Sequence, residues 1–414
     1  MTTAPTVPAQ PALPALHESA VALQPRLVEL RHSLHQEPEI GLELPLTQRK
    51  VLAALDGLPL EITLGKQLSS VVAVLRGAQP GPTVLLRGDM DALPVQETSG
   101  LPYASRKAGA MHACGHDLHV TALVGAAVLL CERREELAGD VVFMFQPGEE
   151  GRGGAKVMIE EGLLQATGSR PTAAYALHVS SAMPQGQVTG RPGTIMAAAD
   201  TLEVTMRGRG GHGSAPHAAL DPVPAVCEAV LALQTMVTRR FDAFDPVVLT
   251  TGLLRAGTIN NVIPDDASFE TTVRSFSPQA RERVREESLR VVRGIAAAHG
   301  LEIDAEFVEL YPVTVNNPAE IEYVAATTRD LLGPDRWTPM EQPLAGAEDF
   351  SYVAEQIPAG FFFLGACADG LDPDTAPYNH SPEAAFADAV LADGAALLAA
   401  LALGRLSPSR PEAR

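Results

Sequence analysis

The chain has 414 residues, longer than the usual single domain, so two domains are expected. Its 50 acidic and 31 basic residues leave a net charge of −19, which excludes the basic face that nucleic acid or an anionic membrane surface would need. With 46% hydrophobic residues a sizeable core is within reach, yet no unbroken apolar run attains the roughly 18 residues of a membrane span.

In chain order, residues 1–17 are rich in Ala, Pro and Thr and lack the basic and apolar regions of a secretory signal. A disordered lead-in is expected there, and a disordered tail over 407–414. Leu27, Leu30 and Leu34 predict a first helix over 25–35, stopped by Glu37-Pro38, and a second is expected over 47–55. His32 and His35 read as polar-face or internally satisfied histidines. Short apolar runs at 71–75, 84–86, 141–145, 173–179 and 361–364 lack polar alternation and read as buried parallel strands. Their alternation with helices predicts an α/β layer domain.

From about Arg191 the texture changes. Residues 201–207 alternate polar and apolar, as a half-exposed antiparallel strand should. A helix capped by Asp221 with Pro222 in its first turn follows, then strands at 247–254 and 268–276, a helix from Ser277-Pro278 to Gly300, and a strand at 301–308. This β-α-β-β-α-β order predicts a split-βαβ, ferredoxin-like domain. It is inserted in a discontinuous core domain, giving 18–190 and 311–406 for the core and 191–310 for the insert. Hinges are expected near Pro192-Gly193 and Tyr311-Pro312. The four cysteines are sparse and irregularly spaced, which fits a reducing, cytoplasmic setting, and Cys131 and Cys227 are expected in the core.

The densest chemistry is Met111-His112-Ala113-Cys114-Gly115-His116-Asp117-Leu118-His119. Positions two apart do not share a helix face, so a joint role for Cys114 and His116 requires a loop, with Asp117 capping the helix that follows. Thiolate and neutral imidazole are the ligands that zinc-like ions prefer. Taken singly, Cys114 reads as a buried residue and each His as a surface one; the cluster points to a metal. In open α/β sheets, sites form beyond the carboxyl ends of the strands. There the sequence carries Asp89 and Asp91, Glu149 and Glu150, His178, and Asn379-His380-Ser381. Cys114, His116, Glu150, His178 and His380 make five candidate ligands, more than the four of a structural zinc, so a two-metal site with Cys114 as bridge is expected. Glu149 can stay unligated as general base, and Asp91 can orient a ligand histidine. The competing reading of Glu149-Glu150 is a solvated acidic turn.

The pieces Leu34-His35-Gln36-Glu37-Pro38-Glu39, Gly88-Asp89-Met90-Asp91-Ala92, 111–117, 146–150, Gly210-Gly211-His212-Gly213, Asn261-Val262-Ile263-Pro264, Gly346-Ala347-Glu348-Asp349 and Asn379-His380-Ser381 run in order over nearly the whole chain. In them the chain resembles the M20 metallopeptidases, in the branch of N-acyl-amino-acid amidohydrolases that includes hippurate and auxin-conjugate hydrolases. The resemblance implies metal ligation by Cys114, His116, Glu150, His178 and His380, with Glu149 as catalytic base and Asp91 as supporting acid. It also implies an inserted domain that acts as lid and dimerises, with His212 acting on the transition state and Asn261 and Arg274 contacting substrate. Other branches carry His in place of Asp89 and Asp in place of Cys114, so Asp89 is not assigned as a ligand. His112 and His119 are expected to support the ligands, and His217 and His299 to be structural or surface residues.

The expected activity is hydrolysis of small N-acyl amino acids by metal-bound hydroxide, with two manganese or zinc ions (or cobalt or nickel) per subunit of a homodimer or homotetramer. The rivals are a carboxypeptidase or dipeptidase on the same scaffold, a Cys114–His116 thiol hydrolase, and a non-catalytic binding protein.

Overall fold

The computed structural model describes residues 13–407. The chain divides into two compact units, the first comprising the chain up to Gly193, Val315–Glu341 and the chain from Tyr352, the second Thr194–Thr314 and Gln342–Ser351. Each is a mixture of helices and strands.

The first unit holds an eight-stranded sheet ordered Glu61–Leu64, Val71–Arg76, Ala138–Gln146, Gln79–Asp89, Ala173–Ser180, Ala359–Gly365, Val188–Gly190 and Trp337–Pro339. The strands from Ala138–Gln146 to Ala359–Gly365 in that order run parallel. The run at 71–75, read as parallel, is antiparallel to its neighbour, with Val71 opposite Phe145. An apolar run without alternation reports burial on both faces, which leaves strand direction open.

Against this sheet lie helices His116–Glu132 and Val390–Leu406, and helix Leu13–Gln36 packs on both, the three sharing one apolar core. Almost every residue of His116–Glu132 and Val390–Leu406 is buried. Among the described residues no helix is long and apolar enough to cross a membrane.

The lead-in expected over 1–17 is corrected where it can be seen: residues 13–17 begin the first helix, burying Leu13 and Leu16, and residues 1–12 lie outside the described residues. That helix also runs through Pro25, the expected start. Proline costs an interior helix one N–H donor, and the buried stripe Leu16, Ala20, Leu27, Arg31 and Leu34 carries the helix past it. Of the expected tail, residues 408–414 also lie outside the described residues.

Arg31 is fully buried on this helix, and its Nε donates to Asp117 Oδ2 at 2.8 Å. Removing one partner of a buried pair strands the other charge, at a cost of about 3–5 kcal/mol. Arg31→Leu is therefore expected to lower the unfolding free energy measured in urea by that amount, while surface substitutions on the same helix leave it nearly unchanged.

In the second unit, strands Ala198–Arg207, Val247–Ala256, Asp266–Ser275 and Glu302–Tyr311 form an antiparallel sheet in which Ala198–Arg207 and Asp266–Ser275 are central. Helices Pro222–Arg240 and Pro278–Ala298 connect the strands and share their apolar core, through Leu202, Val204, Phe269, Leu233 and Val284 among others. Asp221 and Ser277 cap these helices with their side chains. Cys227, expected in the core, is exposed, because it lies off the buried Ala225–Val226–Ala229–Leu233 stripe of its helix.

Candidate metal centre

The loop before helix His116–Glu132 is pinned by a bridge between Leu93 and Met111 and turns at Gly115, whose φ is +86°. A β-carbon at Gly115 would stand 2.4 Å from Val179 Cγ2, so backbone sterics and packing both demand glycine here. The turn leaves Cys114 on the loop and places His116 in the first helical turn. Asp117, expected as the cap, caps nothing: Gly115 occupies that position, and the Asp117 carboxylate instead accepts from Arg31 and His35. The Arg31 guanidinium and the His35 ring, both from the first helix, outcompete a backbone N–H for this buried carboxylate.

Strand Ala173–Ser180 supplies His178, which donates through Nδ1 to Val179 O at 2.8 Å and so keeps Nε2, 3.4 Å from Cys114 Sγ, as the open nitrogen. His116 has Nδ1 2.9 Å from Asp91 O and a buried Nε2 without a hydrogen-bond partner. The loop after Ala359–Gly365 brings His380, with Nε2 3.2 Å from Cys114 Sγ and 3.3 Å from Glu150 Oε1. Among the described residues His380 is the one non-glycine with positive φ, +73°. Its N–H donates to Ala113 O at 2.8 Å, and strain of this kind collects at functional sites.

Ligand atoms of Cys114, His116 and His178 lie within 4.8 Å of one another, and so do those of Cys114, Glu150 and His380. Cys114 belongs to both triads. The donors are one cysteine sulfur, three imidazoles and one carboxylate, the mixture that suits zinc-like ions, and the orphaned His116 Nε2 points into the group. The residues fit a metal pair.

Burial, reinforced by neighbouring His119, holds the His178 imidazole well below its usual range, in the neutral form a metal binds. Burial alone would raise the Glu150 carboxyl, but His380 and His116 outweigh it and lower it. Hydrogen bonds to Cys114 and Glu150 push His380 up to about 10.

Glu149 sits beside the candidate ligands, with a carboxylate oxygen within 4.8 Å of a ring nitrogen of His116 and a carboxylate oxygen of Glu150. Asp91 organises this corner. Its Oδ1 accepts from Glu149 N and its Oδ2 from Glu150 N, each at 3.0 Å. The orientation of His116, expected from the Asp91 side chain, comes chiefly from its carbonyl, since the carboxylate stands 3.5 Å away. Asp91→Asn turns an amide N–H toward a backbone N–H, so we expect turnover to fall by about 10–100-fold, the usual cost of losing an outer partner, with substrate KM little changed.

Asp89 accepts from His119 Nδ1 at 2.6 Å and pairs with Arg87 Nη1 at 2.5 Å. His112, expected to support a ligand, has both ring nitrogens unpartnered, and burial pushes it down to about 3. Sequence reasoning gave Asn379 no role. Its Nδ2 donates to Cys114 O and Val179 O, and its Oδ1 accepts from Ser181 N. Its one available signal was its place beside His380.

In the second unit, His212 and Asn261 come together: Gly211–His212 pairs with Val262–Ile263, and Gly213 N donates to Asn261 O at 2.8 Å. Ser214 N donates to His212 Nδ1, which leaves the ring proton on Nε2. Arg274 is half-buried on strand Asp266–Ser275 and bonds Thr272 Oγ1 and Val273 O, and no carboxylate pairs with it among the described residues. His299 pairs with Glu228 on the surface.

Residues 85–404 match the family model of peptidase family M20/M25/M40. The chain is 38% identical over 344 residues to thermostable carboxypeptidase 2 of Saccharolobus solfataricus, covering 82% of this chain and 85% of that one. It is 36% identical over 345 residues to N-acetylcysteine deacetylase of Bacillus subtilis, covering 83% and 89%. Among solved structures it resembles the Bacillus subtilis YXEP protein, a dinuclear metal-binding peptidase of the M20 family, with a TM-score of 0.80 and 32% identity over 93% of this chain and 99% of that one. The chain belongs to peptidase family M20/M25/M40 and is a hydrolase acting on amide bonds.

Proposed function

We propose that the chain hydrolyses N-acyl amino acids to a carboxylic acid and a free amino acid. Cys114, His116 and His178 would hold one divalent ion and Cys114, Glu150 and His380 a second, manganese or zinc in the first place and cobalt or nickel otherwise. Bound there, the ions supply Lewis-acid polarisation of the amide carbonyl and lower the pKa of water.

The chain's own residues do the rest. Glu149 takes a proton from the attacking water and delivers it to the amine nitrogen as the C–N bond breaks. Asp91 keeps Glu149 and Glu150 in place through their N–H groups. His212, with its proton on Nε2, donates to the developing oxyanion. Arg274 pairs with the substrate carboxylate, and Asn261 adds a polar contact. The second unit is read as a ferredoxin-like lid through which the chain forms a homodimer or homotetramer, in a cytoplasmic setting.

The observation that carries this reading is the Cys114 sulfur shared by two ligand triads with the Glu149 carboxylate beside them. The test is amino-acid release from N-benzoyl, N-acetyl and indoleacetyl amino acids and from dipeptides, on chelated protein and after manganese or zinc is returned. Metal-dependent release that favours acyl amino acids is expected. The carboxypeptidase relative supports a second reading, and preference for peptides would move the assignment there. Release that persists in chelator would sink the metal centre and favour a thiol hydrolase.

A further inference from the structure

Parallel pairing between strands Gln79–Asp89 and Ala173–Ser180 ends at Arg87 and Ala176, two residues short of His178. Beyond that point the Val179 N–H is received by a side chain: it donates to His119 Nε2 at 2.8 Å. A ring nitrogen that accepts carries no proton, so His119 has its hydrogen on Nδ1 and donates it to Asp89 Oδ1 at 2.6 Å. The other Asp89 oxygen faces Arg87 Nη1 at 2.5 Å, and Arg87 Nε donates to Gln146 Oε1 at 2.9 Å. Every member of this row is buried. Val179 is gripped at its other end as well, since its carbonyl accepts from His178 Nδ1 at 2.8 Å and from Asn379 Nδ2 at 3.0 Å.

We infer that His119, held by Asp89 and Arg87, is a positioning residue for His178. Resting on the metal-centre reading above, it fixes the Val179 backbone and so the direction in which His178 Nε2 faces Cys114. Geometry also separates His119 from the ligands. Asp89, His116 and His119 lie close enough together to hold an ion, but both His119 nitrogens are committed, one to Asp89 and one to Val179. Asp89 Oδ1 is likewise engaged by His119, and its Oδ2 stands in ion-pair range of Arg87 Nη1. The Asp89–His119 pair thus does its work through the backbone of the strand that carries a ligand.

Two carboxamides divide the role. His119→Gln can donate to Asp89 and still reach Val179 N–H, whereas His119→Asn keeps the donor near Asp89 but falls short of Val179. Metal-free wild type and both variants would be titrated with cobalt(II) against a competing chelator. The readouts are the thiolate-to-cobalt absorption of Cys114 and the d–d bands that report coordination geometry. His119→Asn is expected to bind one of its two ions about 10–100-fold more weakly, the range for outer partners of a ligand, with shifted d–d bands. His119→Gln is expected to return affinity and spectrum close to those of wild type. Both variants matching wild type would overturn the inference, as would equal impairment of the two, which would mark His119 as a packing residue only. Wild-type protein that takes up fewer than two cobalt ions would instead overturn the metal-centre reading itself.

Discussion

Glu149→Gln is expected to abolish useful turnover while metal content stays near that of the wild type. Positioned acid–base groups contribute about 10²–10⁴-fold, and a loss in that range is the expected result for hydrolysis of an N-acyl amino acid. The side chain is nearly buried, and its backbone is held by Asp91 independently of its carboxylate, so the neutral amide fits the same place. Because Glu149 belongs to neither of the two Cys114-sharing ligand triads, the variant should still load both ions. Substrate KM should change little, since the lost interaction forms in the transition state. Retained turnover would remove Glu149 from the mechanism, and loss of metal together with turnover would make it a ligand.

The second large effect is expected at Cys114, whose sulfur lies 3.4 Å from His178 Nε2 and 3.2 Å from His380 Nε2. It is the one residue common to both triads. Cys114→Ala should therefore weaken both ions at once, well beyond the about 10–100-fold that loss of an outer partner costs. Elemental analysis after gel filtration would show this as fewer than two ions per chain, with turnover falling in proportion. Cys114→Asp separates bridging from softness. A carboxylate can also bridge, so two ions should be retained, but a harder oxygen shifts preference away from zinc and toward manganese. If Cys114→Ala kept two ions at wild-type affinity, the bridge would be disproved.

Much of the site was legible in one dimension because metal chemistry uses few residue types. Cys114, His116, Glu150, His178 and His380 stand out as a thiol, imidazoles and a carboxylate placed after apolar strands. The rule that sites lie beyond the carboxyl ends of parallel strands points to them from the sequence. They form two triads, each within 4.8 Å, beside the parallel strands Gln79–Asp89, Ala173–Ser180 and Ala359–Gly365. The supporting residues were harder to see, because their work is done through backbone atoms. Asp91 acts on two N–H groups, Asn379 on two carbonyls and His119 on Val179 N–H. A sequence names side chains but does not show which peptide groups a fold leaves unpaired.

The same division holds for the fold. By itself the sequence determined the α/β class, the five apolar strand runs and the helices that start after Asp221 and Ser277, and it marked the candidate ligands. Periodicity, capping and ligand type are local properties. Only the tertiary structure decided that Val71–Arg76 runs antiparallel, that the first helix begins at Leu13 and passes through Pro25, and that Asp117 serves Arg31 and His35 rather than a helix end. Each of these depends on a partner far away in the chain. Direction in a fully buried strand is set by the neighbour it pairs with, a proline is tolerated where the surrounding stripe is buried, and a carboxylate goes to the strongest donors packed against it.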